Sequence, residues 1–124
     1  MKNIIAVDFD GTLAVHKYPD IGDEVDGAIE ACLNLQESCK LILYTMRSGE
    51  TLDEAVEWCK QRRLKFWAVN EKQEQKNWTD SPKVYAHIYI DDAAFGCPLK
   101  NVPNERPVVD WSKVVKTILG ESKE

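Results

Sequence analysis

An uninterrupted apolar run that ends in two carboxylates places the strongest constraint on the fold of this chain. The segment Asn3–Val7 reads NIIAV, and Asp8 and Asp10 follow it directly. A strand exposed on one face alternates apolar and polar residues, whereas a strand buried on both faces is apolar throughout. The run therefore predicts a fully buried strand with two acids just beyond its carboxyl end.

Similar runs alternate with helical patterns along the rest of the chain. Further strands are predicted at 40–45, 66–69 and 86–90, with a short fifth at 107–109. Helices are predicted over 24–37, from Thr51 onward through a capping-box spacing, and after Asp110 as N-cap. This alternation predicts parallel crossovers in an α/β protein, namely a Rossmann-like three-layer αβα sandwich with a mostly parallel sheet. We expect one domain over 1–124, with a polar tail at 119–124.

Composition and charge exclude several classes of function. The formal charge of -5 makes the chain a poor general polyanion binder, so a nucleic-acid partner is not expected. No stretch approaches the roughly 18 apolar residues of a membrane span. The four cysteines have no CxxC spacing, which argues against zinc or a disulfide framework and favours reduced thiols in a cytoplasmic protein.

Polar side chains follow or precede the predicted strands at one edge of the sheet. In open parallel sheets, ligands bind beyond the carboxyl ends of the strands. The candidates there are Asp8, Asp10, Thr45, Asp91 and Asp92, with Lys83 shortly before the fourth strand. Four neighbouring acids repel one another unless a hard divalent cation lies among them, and carboxylate ligands favour Mg²⁺. A lysine and a hydroxyl nearby suit the oxygens of a phosphoryl group.

Four short motifs in this order resemble those of the haloacid dehalogenase-like (HAD) superfamily. DFDGTL at 8–13 resembles motif I, DxDx[T/V], and LILYT at 41–45 resembles motif II. Lys83 is placed like the motif III lysine, and YIDDA at 89–93 resembles the paired-acid form of motif IV. The resemblance covers roughly residues 3–93 and implies a HAD-like fold.

The resemblance also implies a role for each matching residue. Asp8 is the nucleophile that forms an aspartyl-phosphate, and Asp10 is the general acid and then the general base. Thr45 donates a hydrogen bond to the phosphoryl oxygens, and Lys83 neutralises Asp8 and the transferring group. The chain is thus expected to be a Mg²⁺-dependent phosphatase, a hydrolase of phosphomonoesters.

The implied metal site takes Asp8, the backbone carbonyl of Asp10, Asp91 and Asp92. Neighbouring residues on a strand point to opposite faces, so Asp91 and Asp92 are not expected to be equivalent ligands. We expect Asp91 to bind Mg²⁺ directly and Asp92 to lie behind it.

No room is left for a cap domain of the kind that covers the site in many relatives. Only 14–22 after motif I and 70–82 between motifs II and III are free of predicted elements. An open site would be closed by a large phosphorylated substrate, by the protein's own loops or by a neighbouring subunit, which makes a homo-oligomer an expectation. The phosphorylated substrate is a small molecule or a macromolecule.

Three other functions compete with the phosphohydrolase. A phosphotransferase differs only in the group that accepts the phosphoryl from Asp8. A response-regulator receiver also uses acids, Mg²⁺, Thr and Lys, but the order of those residues along the chain is different. A non-catalytic binding module would not need the full set of reactive residues.

Several side chains have more than one interpretation. Lys72 and Lys76 compete with Lys83 for the lysine role, and Arg47 either contacts a substrate anion or lies on the surface. His16 is a weaker candidate to face the site, whereas His87 is interpreted as a core or interface histidine. Trp78 is a hydrophobic plug or a substrate-facing ring.

Overall fold

The computed structural model describes residues 2–70 and 73–120. Its strands are β1 Asn3–Val7, β2 Cys39–Leu43, β3 Ala68–Val69, β4 Ile88–Ile90, β5 Leu99–Lys100 and β6 Val108–Val109. Its α-helices are α1 Ala28–Leu35, α2 Gly49–Gln61 and α3 Trp111–Leu119, and a 3₁₀ helix covers Gln73–Asn77. The protein is therefore an α/β protein, as the alternation of patterns predicted.

The main sheet has four strands in the order β3-β2-β1-β4, and every neighbouring pair is parallel. Val7 at the end of β1 lies opposite Leu43 of β2 and Ile90 of β4, so three strands end at the same level. The chain moves outward from β1 to β3 and then returns to the other side of β1. This reversal creates a crevice between β1 and β4, where open α/β sheets of the Rossmann type bind ligands.

The two faces of β1 are buried in different ways. Ile5 and Val7 belong to the larger core cluster, which also contains the buried residues of all three α-helices. Ile4 and Ala6 point to the other face, where a smaller cluster includes Val84 from the segment before β4. Both faces of the strand are buried, as its composition predicted, whereas the three-layer arrangement of the prediction is not confirmed.

Several predicted element boundaries are wrong for local reasons. The first helix begins at Ala28 rather than Glu24, after Gly27 at a φ of 79°. The second begins at Gly49 with Ser48 as its N-cap, so Thr51 lies inside the helix, where its hydroxyl donates to the carbonyl of Ser48. Asp110 is confirmed as the N-cap of α3, where its side chain accepts from the backbone N–H of Lys113.

The predicted fifth strand at 107–109 is present only as β6. It pairs antiparallel with β5 in a separate two-stranded sheet and does not extend the main sheet. Strand β4 is consequently an edge strand within the described part of the chain. No helix in that part is long and apolar enough to cross a membrane.

The segment after β1 and the segment between β3 and β4 were both expected to lack helices and strands, but they fold in different ways. After β1, the chain folds back onto the core, because Phe9, Leu13, Ala14 and Val15 are all buried. The segment between β3 and β4 contains the 3₁₀ helix, which Gln75 holds to the carbonyl of Lys83. Neither segment forms a cap domain within 2–70 and 73–120.

Candidate active site

Three carboxylates meet at the crevice between β1 and β4. One side-chain oxygen from each of Asp8, Asp91 and Asp92 lies within 4.8 Å of the other two. Asp8 directly follows β1, and its backbone N–H donates to the carbonyl of Ile90 at the end of β4 over 2.9 Å. The sheet register therefore fixes the spacing of the acids.

Both acids of the Asp91–Asp92 pair reach this cluster. Strand β4 ends at Ile90, and the next residues form a turn in which Asp91 accepts from the backbone N–H of Ala93 at 2.9 Å. Because the pair lies beyond the strand, the alternation of faces does not separate the two side chains. Which of them binds a metal directly stays a prediction.

Thr12 joins the two sides of the cluster. Its side chain is fully buried, and its hydroxyl donates to Asp8 Oδ2 at 3.2 Å and accepts from the backbone N–H of Asp92 at 3.3 Å. Its carbonyl accepts from the indole N–H of Trp111 in α3 at 2.7 Å. Thr12 thus ties the acids of β1 and β4 to the core.

His16 is also brought to the site. Its Nε2 lies 2.8 Å from Asp92 Oδ2, and both side chains are largely buried. This pairing holds one oxygen of Asp92 in place. The chain can bring His16 there only because Gly11 leaves space beside both side chains.

Gly11→Ala is expected to disrupt the site rather than only the turn. Gly11 has a φ of +85°, and an added Cβ would lie 2.1 Å from His16 Nε2 and 2.5 Å from Asp92 Oδ2. We expect Mg²⁺ affinity to fall by about 10-fold to 100-fold, because the side chains that orient a ligand must move. Isothermal titration with Mg²⁺ measures this loss.

Gly96→Ala is the matched control for that substitution. Gly96 has a φ of +88°, and its added Cβ would meet nothing within 4 Å. Both variants carry the backbone strain of about 1–2 kcal/mol for a left-handed residue, but Gly96→Ala is expected to retain Mg²⁺ affinity. Equal losses in the two variants would show that strain alone is responsible.

Asp8 is the acid most strongly perturbed by its surroundings. Burial and the negative charge of Asp91 raise the pKa of its carboxyl group from 3.8 to about 8. The backbone N–H of Phe9 opposes that rise, while Asp92 adds to it. A cation among the three carboxylates would remove the repulsion, so the donor set fits a hard metal ion such as Mg²⁺.

The raised pKa of Asp8 predicts how stability depends on pH. The folded state binds this proton more tightly than the unfolded state does. The proton therefore stabilises the fold fully below about pH 4, where both states are protonated, and this stabilisation is lost as pH rises through about 8. In EDTA, we expect the free energy of unfolding of the wild type to fall over that range, and Asp8→Asn to flatten that part of the profile.

Mg²⁺ competes with the same proton, which adds a second expectation. Because the carboxylate form is the ligand, Mg²⁺ should raise the melting temperature more at about pH 8 than at about pH 5. Urea unfolding at several pH values and thermal melts with and without Mg²⁺ measure the two effects. A wild-type profile parallel to that of Asp8→Asn would contradict the assignment.

The carboxylate of Asp10 lies outside this cluster. Its Oδ2 accepts from Arg47 Nε at 2.8 Å, and its Oδ1 accepts from Arg47 Nη2 at 2.9 Å. The side chain of Arg47 is fully buried, so the interpretation that places it on the surface is wrong. The hydrogen bond to Asp10 raises the pKa of Arg47, which is thus a permanent cation at the edge of the site.

Thr45 is held by main-chain and side-chain contacts at the carboxyl end of β2. Its backbone N–H donates to Asn70 Oδ1 at 2.8 Å, and its hydroxyl oxygen accepts from the backbone N–H of Arg47 at 3.1 Å. No residue within 2–70 and 73–120 accepts the proton of this hydroxyl, and its donation to a phosphoryl oxygen stays a prediction.

Lys83 forms no contact with the cluster of Asp8, Asp91 and Asp92. Its side chain is exposed, its Nζ lies 5.4 Å from the centre of the Tyr89 ring, and it forms no ion pair with any described residue. Of its two rivals, Lys76 lies in the 3₁₀ helix, and Lys72 lies outside the described residues. The assignment of the lysine role to Lys83 stays a prediction.

Two aromatic side chains are exposed, so His87 is not a core histidine, and its interface interpretation stays a prediction. His87 precedes β4 and is exposed, and its Nδ1 accepts from the backbone N–H of Ile4 at 2.9 Å. Trp78 is 64% exposed and packs edge-to-face against Tyr85, so it is not a hydrophobic plug.

Sequence reasoning did not assign Thr12 to the site, and it did not foresee that Arg47 pairs with Asp10. Thr12 stands within the DFDGTL motif, so the signal for it was present. For Arg47, the signal was electrostatic: four acids at one edge require a fixed cation, and a guanidinium pairs with a carboxylate through two parallel hydrogen bonds.

Comparison with known proteins finds a relative among the solved structures. No model of a protein family and no curated protein matches this chain. A solved structure of "the conserved protein coded by locus from Bacteroides thetaiotaomicron" is 39% identical, with a TM-score of 0.80. The match covers 99% of this chain and 94% of the other, so it includes every element of the candidate site.

Proposed function

This chain belongs to the family of the conserved Bacteroides thetaiotaomicron protein, and we propose that it is a Mg²⁺-dependent phosphohydrolase that cleaves phosphomonoesters. One observation carries the proposal: Asp8, Asp91 and Asp92 meet in the crevice between β1 and β4. The motif order supports placing the chain in the HAD superfamily. The absence of disulfides among the described cysteines supports a cytoplasmic location.

The donor set supports Mg²⁺ as the cofactor. Asp8, Asp91 and Asp92 would hold the ion, since three carboxylates supply hard oxygen ligands and excess negative charge. When bound, Mg²⁺ keeps Asp8 ionised and neutralises charge on the phosphoryl oxygens.

The first chemical step uses the carboxylates of Asp8 and Asp10. An oxygen of Asp8 donates an electron pair to phosphorus, and the bond between phosphorus and the leaving oxygen breaks with its electrons on that oxygen. Each oxygen of Asp10 accepts one hydrogen bond from Arg47 and keeps a second lone pair, which carries the proton that Asp10, as general acid, gives to the leaving oxygen. The products of this step are an alcohol and an aspartyl-phosphate on Asp8.

The second step restores the enzyme. Water attacks phosphorus while Asp10, now a carboxylate, takes a proton from that water. The bond between phosphorus and Asp8 breaks, and inorganic phosphate is released. A phosphotransferase would differ only in this step, where another hydroxyl group instead of water would accept the phosphoryl group from Asp8.

Thr45 and Lys83 are the proposed donors to the phosphoryl group. The hydroxyl proton of Thr45 has no acceptor among the described residues, and Lys83 has a long, exposed side chain that can reorient. Both would stabilise negative charge that grows on the phosphoryl oxygens.

Phosphate release from a panel of phosphomonoesters tests the proposal. We expect release with Mg²⁺ and none with EDTA, and we expect Asp91→Asn and Asp92→Asn to require far more Mg²⁺. A chain that releases no phosphate from any ester, or releases it equally well in EDTA, would contradict the proposal.

A further inference from the structure

Arg47 uses every N–H group of its guanidinium within the described part of the chain. Two of them reach the Asp10 carboxylate, as described above. Nη2 also donates to the carbonyl of Asp20 at 2.7 Å, while Nη1 donates to the carbonyls of Pro19 at 3.1 Å and Thr51 at 3.3 Å. A guanidinium has five such donors, so none is left for a substrate.

Aromatic rings enclose the guanidinium as well. Its Cζ lies 5.1 Å from the ring centre of Phe9 and 5.1 Å from that of Tyr18. Arg47 is 2% exposed. These contacts join motif I, the loop at 18–20 and the start of α2 around one buried cation.

This arrangement restricts Asp10 more than any other acid of the site. Both of its oxygens are held by charge-assisted hydrogen bonds in the two-pronged geometry that only arginine provides. A general acid must lie within hydrogen-bond reach of the leaving oxygen, and a small displacement reduces its contribution.

We propose that Arg47 is the positioning residue for Asp10 and fastens the loop at 18–20 beside it. The inference rests on the proposed function, in which Asp10 protonates the leaving group. Arg47 acts only through Asp10 and does not touch the substrate. Replacing Arg47 should therefore lower kcat/KM most for esters whose leaving group must be protonated.

Leaving-group dependence tests the inference with Arg47→Lys. We expect kcat/KM to fall by only a few-fold for p-nitrophenyl phosphate, whose leaving group departs without protonation. For a simple alkyl phosphate, we expect a fall of about 10²-fold or more, the usual size of a general-acid effect. The ratio of the two substrates in one preparation does not depend on the fraction of folded enzyme.

A double-mutant cycle supplies the second readout. Asp10→Asn should show the same selective loss for the alkyl ester, and adding Arg47→Lys to it should cause no further selective loss. Arg47→Gln, which keeps two amide donors without a charge, is a second variant should Arg47→Lys unfold.

The results separate this inference from the proposed function. If the wild type releases phosphate, two results would overturn the role of Arg47 but not the proposed function. One is an equal fall in kcat/KM for both esters in the Arg47 variants, and the other is additive losses in the double mutant. Wild type that cleaves no ester would overturn the proposed function before any variant is compared.

Discussion

Asp8→Asn is expected to abolish Mg²⁺-dependent phosphate release, with a fall in kcat of about 10³-fold or more. The amide oxygen of asparagine is a poor nucleophile, so the covalent step is lost. Near and above pH 8 in EDTA, the substitution also removes a negative charge that Asp91 and Asp92 repel, so there the variant should be as stable as the wild type or more stable. Loss of activity without loss of stability distinguishes a reactive group from a structural one.

Asp26→Asn is the matched control for this substitution. The Asp26 side chain is 88% exposed and pairs with Lys100 Nζ at 2.9 Å, away from the acid cluster. It is expected to retain wild-type rates. The measurement is the rate of phosphate release by both variants in parallel. If Asp8→Asn kept a rate within tenfold of the wild type, Asp8 would not be the nucleophile.

Arg47→Ala is expected to cause the largest loss of stability of any charge substitution in the described chain. It leaves the Asp10 carboxylate and the carbonyls of Pro19, Asp20 and Thr51 without their partner. Removing one member of a buried ion pair destabilises by about 3–5 kcal/mol. Urea denaturation of the two proteins under the same conditions measures the difference.

Arg62→Ala provides the comparison for a surface arginine. Arg62 Nε pairs with Glu24 Oε2 at 2.7 Å, and its guanidinium lies 3.8 Å from the ring centre of Trp58, but the pair is in contact with solvent. An exposed pair of this kind is worth about 1 kcal/mol or less. Similar losses for Arg47→Ala and Arg62→Ala would contradict the buried network.

The sequence predicts the main sheet and the meeting of three of its acids, for clear physical reasons. Strand β1 is apolar throughout, and its predicted bounds, Asn3–Val7, agree with the structure. The site follows from one topological rule, since parallel strands that end together bring Asp8 beside Asp91 and Asp92. Short-range spacing and strand direction suffice for these features.

The contacts around Asp10 depend on information that local patterns do not contain. Arg47 is 37 positions from Asp10, and it reaches that carboxylate only because the chain after β1 folds back onto the core. Lys83 lies outside the acid cluster for a related reason, because the 3₁₀ helix and Gln75 set the course of the chain before β4. Two helix starts were predicted wrongly, because the helices begin directly after Gly27 and Ser48.

A burst experiment on Asp10→Asn tests the central claim most directly, because this variant can lose a good leaving group but cannot activate water. Mixed with p-nitrophenyl phosphate and Mg²⁺, it should release one nitrophenol per protein rapidly and then nearly stop. Acid quenching and peptide mapping should find the phosphoryl group on Asp8. Slow release without a burst, or phosphate on any other residue, would contradict the aspartyl-phosphate mechanism.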